Sequence, residues 1–398
     1  MQKKFIILLA AGHMFSDINQ GALPALLPFL IATRHFSYAT AASLVFMSNL
    51  VSSVTQPIFG HVADRRRVAW FVPAGILAAG VGVVLAANLP TYWMMLAAVG
   101  LSGLGIAAFH PEATLLVNRL SGPMKSTAMG MFAVGGNLGF ALGPVLTTTF
   151  VLWFGFHGAL LLVVPGALAA VLFLVQMPRL QLHLSSRAAG HGVNAPRAQD
   201  AWWPFAYLTA TVVLRSIVFF GLNTFLALYW ISDLHQSKAR GNTALSILLL
   251  SGAVGTLVGG RLADKLGNET VLPWTFFASP VLLLALIAVR QTGLATALLV
   301  PLGLVLFAPF GVMVVMAQGF LPNHPGAASG VTLGLAASVG GVVTPLFGRI
   351  ADRYGLHTSL MVLTWVACAA FLLALATVRS SKAWKPQATE ATPCPVKA

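Results

Sequence analysis

The chain has 398 residues, of which 58% are hydrophobic and 8% are charged. A soluble globular protein carries about 25% charged residues, so this composition excludes a soluble domain with an ordinary polar surface. The net charge is +14, but the Lys and Arg residues lie mostly in short breaks between apolar stretches, as in membrane proteins. Nucleic-acid binding is therefore the weaker interpretation of this charge, and no nucleic-acid partner is expected.

Apolar stretches recur along the whole chain. A helix needs about 20 mostly apolar residues to cross a bilayer, and twelve stretches approach that length: 5–32, 38–62, 70–88, 92–117, 127–150, 158–177, 204–230, 242–263, 271–289, 294–318, 328–350 and 358–378. The longest polar stretch, 178–203, separates the first six from the last six. We predict an all-α membrane protein of twelve transmembrane helices in two pseudo-symmetric six-helix bundles, 1–177 and 204–378. A cytoplasmic linker, 178–203, joins them, and a disordered cytoplasmic tail, 379–398, follows.

The distribution of basic residues predicts the orientation. If the N-terminus is cytoplasmic, 16 of the 23 Lys and Arg residues fall on the cytoplasmic side, six fall on the outer side, and Arg215 lies inside a helix. Cytoplasmic loops carry the excess of Lys and Arg. We therefore predict a multi-pass protein of the bacterial inner membrane with both termini in the cytoplasm.

The two halves repeat each other at a constant offset of 200 residues. Val54, Gly60, Ala63, Asp64 and Arg65 correspond to Val254, Gly260, Ala263, Asp264 and Lys265. Such an offset indicates duplication of a six-helix unit, a plan that recurs in secondary transporters. In that plan the substrate path runs between the halves near the middle of the membrane.

The repeated segment is a short motif at the predicted cytoplasmic ends of helices 2 and 8. Its glycine permits close helix approach, and its aspartate can pair with a basic group or a helix N-terminus. The motif resembles the loop signature of the major facilitator superfamily. This resemblance implies a gating role for six residues: Gly60, Asp64, Arg65, Gly260, Asp264 and Lys265. A third copy, Gly348 to Gly355, ends helix 11 on the predicted outer side, and the sequence assigns it no role.

Helix 5 contains a second motif, consisting of Gly130, Gly139, Gly143 and Pro144. Glycines on one face allow tight packing against a neighbouring helix, and proline bends a helix. The spacing resembles the antiporter motif of the drug-efflux branch of the superfamily, although Thr147-Thr148 replaces its usual closing Gly-Gly. Ordinary packing of small residues is the alternative interpretation.

Four further segments resemble the fosmidomycin-resistance group of efflux transporters: His13 to Asp17, Gln56-Pro57, Phe109 to Ala113, and Gly135 to Gly139. This resemblance implies proton-driven export of drugs or small anionic metabolites. Helix 4 lacks the arginine that many exporters of the superfamily carry, because Val99 occupies that position.

Ionisable residues inside a membrane are costly and are functional by default. Asp17 lies ~18 Å along helix 1 and Arg215 ~16 Å along helix 7, at 1.5 Å per residue. His13, Asp17 and Gln20 share one helix face, which we expect to line a central cavity. On that face His13 is a candidate for proton coupling and Gln20 for substrate binding. We predict that Asp17 carries the coupling proton and that Arg215, facing it, binds an anionic substrate. A permanent Asp17–Arg215 ion pair is the alternative.

Helix 4 adds two candidates for proton coupling, His110 and Glu112. Glu112 lies near the cytoplasmic boundary, where it either exchanges protons or pairs with Arg119 or with 65–67 as an inner gate. His110 has an ordinary pKa of ~6.5, although a lone helix histidine is often merely hydrogen-bonded. Three further polar residues are expected to line the cavity and contact substrate: Asn137, Asn223 and Gln318.

These observations predict a proton-coupled secondary transporter that exports small drugs or metabolites, anionic ones among them, by alternating access. The expected partners are the substrate, protons and membrane lipid, and the expected state is a monomer. The proton gradient is the energy source, and no cofactor or metal is expected. The alternative is a facilitator-type importer or symporter of a small organic anion. An integral-membrane enzyme is a remote alternative, because no phosphate-binding loop or activated nucleophile is recognisable.

Overall fold

The computed structural model describes residues 2–65, 68–121, 125–185, 199–324, 328, 331–332 and 336–384. Within these ranges it describes the backbone alone at 63–65, 125–127, 181–185 and 336–338. The described chain is helical throughout and contains no strand, which confirms the predicted all-α fold class.

The described residues of the N-terminal half form six long helices. They are α1 (Lys3–Arg34), α2 (Tyr38–Arg65), α3 (Phe71–Asn88), α4 (Tyr92–Leu120), α5 (Lys125–Phe154) and α6 (Leu160–Ser185), with a short 3-10 turn, Gly155–Ala159, between the last two. Pro111 and Pro144 lie inside α4 and α5 without ending either helix.

The C-terminal half repeats this arrangement with two interrupted helices. Its helices are α7 (Trp202–Ser232), α8 (Lys238–Leu266), α9 (Asn268–Ala288), α10 (Thr292–Phe307), α11 (Pro309–Phe320), α12 (Ala336–Val342), α13 (Thr344–Tyr354) and α14 (Leu356–Ala383). The predicted span 294–318 is thus divided between α10 and α11. Proline lacks the amide hydrogen that continues a helix, and α11 begins at Pro309.

Eight stretches of the described chain are long and apolar enough to cross a membrane: Phe71–Asn88, Tyr92–Leu120, Ala128–Leu180, Trp202–Ser232, Lys238–Leu266, Asn268–Ala288, Thr292–Phe320 and Leu356–Ala383. The stretch Ala128–Leu180 contains both α5 and α6. Helices α1 and α2 are not among the eight, because polar residues interrupt them, including Asp17 and Gln20 on α1. These two polar helices line the central cavity described below.

Both predicted polar segments begin later than expected. Helix α6 continues to Ser185 and α14 continues to Ala383, so the first residues of the predicted linker and tail are helical. Residues 186–198 and 385–398, which make up most of both segments, lie outside the described residues.

The bundle has two ends. We call the end that holds the starts of α1 and α7 the termini face, and the other end, where α1 finishes at Arg34, the opposite face. The termini face is the predicted cytoplasmic side. Four hydrogen bonds between described residues of the two halves lie toward the opposite face: Tyr38 and Ala39 with Asp352, and Asn242 with Ala25 and Thr148.

Helices α1 and α5 pack backbone to backbone. A Cβ atom added at Gly143 would come within 2.6 Å of the Ile18 carbonyl oxygen, and one at Gly139 would overlap the Met14 carbonyl. The predicted small-residue packing therefore holds for these two glycines. For Gly130 it stays a prediction, because an added Cβ would meet no atom of the described chain within 4 Å. This close contact between α1 and α5 positions the residues of the site described next.

Candidate functional site

The Asp17 carboxylate lies between two histidines in the N-terminal half. His13 Nε2 is 3.2 Å from Asp17 Oδ2, and His110 Nε2 is 3.4 Å from Asp17 Oδ1. His13 lies one turn before Asp17 on α1, whereas His110 comes from α4. We call these three residues the His–Asp–His cluster. Asp17 is 8% exposed, so the carboxylate is removed from bulk water and depends on these partners.

Both histidines are oriented by backbone carbonyl groups. His13 Nδ1 lies 2.8 Å from the Phe132 oxygen, and His110 Nδ1 lies 2.9 Å from the Ile106 oxygen. A carbonyl oxygen only accepts hydrogen bonds, so each Nδ1 carries the hydrogen. Each Nε2 is thereby left to face Asp17, and its protonation is the variable that remains.

This geometry fixes the number of protons that the cluster can hold. A bare Nε2 facing a carboxylate oxygen places two lone pairs against each other, whereas a proton in that gap makes a hydrogen bond. Two protons fill both gaps and give the cluster a net charge of +1. One proton leaves one gap unfilled and gives a net charge of zero. The cluster can therefore gain or lose one proton in a buried setting.

The two gaps differ. The His110 gap is the longer one, and the His110 side chain is 20% exposed against 12% for His13. His13 is also held more firmly, because its ring stacks on the Phe132 ring with centroids 4.1 Å apart. His110 is thus the less tightly packed and more accessible of the two histidines.

Gly136 on α5 makes room for the His13 imidazole. A Cβ atom added there would lie 2.5 Å from His13 Nε2 and 2.8 Å from His13 Nδ1, too close for any side chain. Gly136 belongs to the α5 segment whose sequence resembles the fosmidomycin-resistance group. Its structural role is to let His13 lie flat against α5.

A cavity adjoins the cluster between the two halves. Its lining includes Gln20 from α1, Asn49 from α2 and Asn223 from α7, with Phe140 and Phe220 as apolar walls. Gln20 also donates a hydrogen bond from Nε2 to Asp17 Oδ1 over 2.9 Å. This side chain therefore connects the cavity directly to the cluster.

Arg215 does not face Asp17 as predicted. Its Nε donates to the Leu306 oxygen over 2.8 Å, and its guanidinium carbon lies 5.9 Å and 5.8 Å from the ring centroids of Phe307 and Phe310. The carbonyls at the end of α10 lack helical partners, which explains why the side chain turns toward them. A permanent Asp17–Arg215 pair is also wrong, because the ion pairs of Asp17 in the described chain are with His13 and His110.

Arg215 lines a second, narrow pocket that belongs to the C-terminal half alone, between α7, α9, α10, α11 and α14. Arg215 is 8% exposed. A role in binding an anion there stays a prediction.

Of the other three residues predicted to line the central cavity, one does so in the structure and two do not. Asn223 is 2% exposed and lines the central cavity, as predicted. Asn137 is half-buried on α5 and is not part of that lining, and Gln318 is exposed on α11. Asn49 also lines this cavity but was not predicted to do so. The polar face of α2 could have indicated it, because Asn49 lies one turn before Ser52 and two turns before Gln56.

Glu112 is buried on α4, with 1% of its surface exposed. The predicted inner gate would pair it with Arg119 or with basic residues of 65–67. The side chain of Arg65 and both 66–67 lie outside the described residues, so this pairing stays a prediction, as does proton exchange at Glu112.

The gating motif shows few contacts at the termini face. Gly60 approaches the Pro111 side chain, with 3.7 Å to an added Cβ, whereas Gly260 meets no described atom within 4 Å. The close approach at Gly260 therefore stays a prediction, and the neighbouring Gly259 packs against the Ala308 backbone. Asp264 and Lys265 are exposed. The Asp64 and Arg65 side chains lie outside the described residues.

The cluster also offers three metal-donor atoms, two imidazole nitrogens and a carboxylate oxygen, within 4.8 Å of one another. Such a set suits a divalent ion such as zinc. The two nitrogen–oxygen separations are also of hydrogen-bond length, and each gap accommodates a proton. The absence of a metal therefore stays a prediction.

Comparison with known proteins identifies relatives along nearly the whole chain. A family model described as Major Facilitator Superfamily matches residues 9–345. An uncharacterized MFS-type transporter, YfnC of Bacillus subtilis, is 29% identical over 91% of this chain and 90% of its own length. The fosmidomycin resistance protein of Escherichia coli is 27% identical over 93% of this chain and 91% of its own length.

A solved structure shares the fold. It is a bacterial homologue of the human lysosomal transporter Spinster in an inward-facing and occupied conformation. The TM-score is 0.82, the sequence identity is 14%, and the match covers 96% of this chain and 98% of that one.

Proposed function

Because the chain belongs to the Major Facilitator Superfamily and is a membrane transporter rather than an enzyme, we propose a specific activity for it. It exports small drugs or metabolites, anionic ones among them, in exchange for protons. It does so by alternating access, in which one end of the bundle is open while the other is closed. The observation that carries this proposal is the single carboxylate held between two oriented imidazoles, Asp17 between His13 and His110.

The cluster has the properties that a proton carrier needs. It takes one proton in or out without rearranging its backbone, because both Nδ1 hydrogens stay on carbonyl oxygens. Histidine is the side chain whose ordinary pKa, ~6.5, lies within the physiological range. We assign the exchanged proton to His110, since its gap to Asp17 is the longer one and its side chain is more exposed.

Gln20 couples proton and substrate. Its amide donates to the Asp17 oxygen that also faces His110, and the same side chain lines the cavity where substrate would sit. When His110 loses its proton, that Asp17 oxygen keeps its hydrogen bond from Gln20 but loses the one from His110. Protonation therefore changes the hydrogen bonds that Gln20 can offer to a substrate.

The export direction is supported by two observations. A relative that matches nearly the whole chain is named for resistance to fosmidomycin, and a membrane transporter that exports a drug gives resistance to it. Four hydrogen bonds between the halves lie toward the opposite face, which leaves the predicted cytoplasmic side as the one from which substrate enters.

A second candidate follows from the charge of the cluster. With both gaps protonated the cluster is at +1, and a positive charge beside the cavity attracts an anion. An anion and a proton would then bind together, which favours symport and hence import. The two candidates therefore differ in whether substrate and proton compete or cooperate.

Everted membrane vesicles distinguish the two candidates. With an acidic interior, proton–substrate exchange drives labelled fosmidomycin into such vesicles, whereas symport drives it out. Accumulation in wild-type vesicles that is absent from Asp17→Asn vesicles supports the proposal. Gradient-driven accumulation that persists in Asp17→Asn contradicts it, and outward movement establishes the second candidate.

A further inference from the structure

The third copy of the gating motif, Gly348 to Gly355, joins the two halves at the opposite face. It occupies the end of α13 in the C-terminal half. The Asp352 carboxylate accepts a hydrogen bond from the Tyr38 amide over 2.7 Å through Oδ1 and one from the Ala39 amide over 3.0 Å through Oδ2. Tyr38 and Ala39 are the first two residues of α2 in the N-terminal half.

Asp352 therefore caps a helix that belongs to the other half. The first amides of a helix have no partner within the helix, and the positive end of its dipole attracts a carboxylate. The Thr40 amide donates within the N-terminal half, to Ser37 Oγ over 3.1 Å. The amides of Tyr38 and Ala39 instead use a carboxylate from across the interface. Hydrogen bonds to an ionised acceptor are stronger than neutral ones.

Gly348 makes this contact sterically possible. It precedes Asp352 by four residues, so both project from the same side of α13. A Cβ atom at Gly348 would lie 2.7 Å from Ala39 Cα and 3.0 Å from the Tyr38 oxygen. Any larger residue would push α13 away from α2 and lengthen both hydrogen bonds to Asp352.

The second copy of the motif lacks these contacts in the described chain. Gly260 meets no atom within 4 Å, and Asp264 is exposed at the termini face. The glycine and aspartate of the motif thus contact the other half at the end of the bundle where the two halves meet. Such contacts exist only while the halves are together at that end.

We propose that Gly348 and Asp352 form a latch that holds the opposite face closed and is released in each transport cycle. When the opposite face opens, α13 separates from α2 and the two capping bonds break. The latch rests on alternating access and does not depend on the identity of the substrate or on proton coupling.

The latch is tested by measuring the distance between the halves at the opposite face. Spin labels are placed at Ala32→Cys, at the end of α1, and Gln291→Cys, at the start of α10, both exposed. The background replaces Cys368 and Cys394 by Ser. In nanodiscs at fixed pH without substrate, Asp352→Asn should raise the ratio of open to closed distances about tenfold, the effect expected from losing charge-assisted hydrogen bonds.

Two variants complete the test. Gly348→Ala should shift the same distance distribution in the same direction, because it separates the helices without removing the charge. Asp233→Asn is the matched control, since Asp233 also ends a helix at the opposite face but accepts its hydrogen bond from the adjacent Ser232. Asp352→Asn and Gly348→Ala proteins that are monodisperse and keep the wild-type distribution would overturn the latch. Failure of proton coupling in the vesicle assay would leave this result unaffected.

Discussion

Gln20 Nε2 lies 2.9 Å from Asp17 Oδ1, and the same glutamine lines the cavity between the two halves. This one side chain is therefore shared between the proposed proton site and the expected substrate site. The following predictions test that relationship and the contacts that support it.

Replacing Gln20 by Met should weaken the coupling between proton and substrate binding more than it lowers the stability of the fold. Methionine has a similar length but cannot donate to Asp17, and loss of a hydrogen bond to a charged group costs about 1.5–3 kcal/mol. We expect substrate affinity to fall about tenfold and its dependence on pH to flatten. Isothermal calorimetry at several pH values measures both quantities, and an unchanged pH dependence would contradict the shared role of Gln20.

Replacing Asp17 by Asn should abolish gradient-driven transport while exchange of substrate for substrate persists. The amide preserves the shape but cannot hold the protons of both imidazoles. Everted vesicles give the driven rate, and vesicles preloaded with unlabelled substrate give the exchange rate. Loss of both rates, in protein that remains folded, would show that Asp17 is structural rather than a coupling residue.

Replacing His110 by Gln should remove the pH dependence of substrate binding. If protons and substrate compete, wild-type binding weakens as the pH falls through the range in which histidine takes up its proton, ~6.5 for an unperturbed group. Without His110 the gap that exchanges its proton no longer exists, so binding should vary little between pH 5.5 and 8. His61→Gln is the control, because His61 is exposed on α2 near the termini face and its loss should leave the profile unchanged.

Replacing Gly136 by Ala should displace the His13 ring and impair driven transport. The added methyl group would overlap the imidazole, and such overpacking typically costs about 1–3 kcal/mol. The matched control is Gly130→Ala on the same helix, where no described atom lies within 4 Å of the added methyl group. Thermal unfolding in detergent should show a lower midpoint for the first variant only. Wild-type transport by Gly136→Ala would show that the position of His13 is not critical.

The fold was predictable because its signals are local. Apolar length gives the spans, the polar stretch 178–203 separates the halves, and the 200-residue offset reveals the duplication. The structure and the family match confirm the fold class and the superfamily. Helix interruptions were harder to predict, because Pro309 ends α10 whereas Pro111 and Pro144 are accommodated inside long helices.

The site was predictable only where its members share a helix. The spacing of His13, Asp17 and Gln20 places them on one face of α1, and they do contact one another. Contacts between helices were not predictable in the same way. Pseudo-symmetry suggested Arg215 as the partner of Asp17, but the helix end at Leu306 attracts that guanidinium, and His110 from α4 takes the place beside the carboxylate.

Thr148 illustrates a departure from a motif that the structure explains. The sequence shows only that Thr147-Thr148 replaces the usual Gly-Gly of the antiporter motif. In the structure Thr148 Oγ1 accepts a hydrogen bond from Asn242 over 2.6 Å, and Asn242 also donates to the Ala25 oxygen over 3.0 Å. The substitution thus supplies a contact between the halves, which depends on the other half of the chain and is invisible in a local motif.

The central claim is that the His–Asp–His cluster exchanges a proton when substrate binds, and proton release on binding tests it most directly. Purified protein in weak buffer is mixed with fosmidomycin while a pH dye is followed, and calorimetry on the same sample measures how much ligand is bound. We predict release of about one proton per bound ligand from the wild-type protein, as expected for one titrating gap, and none from Asp17→Asn. Binding without proton release, or the same release from both proteins, would contradict the account.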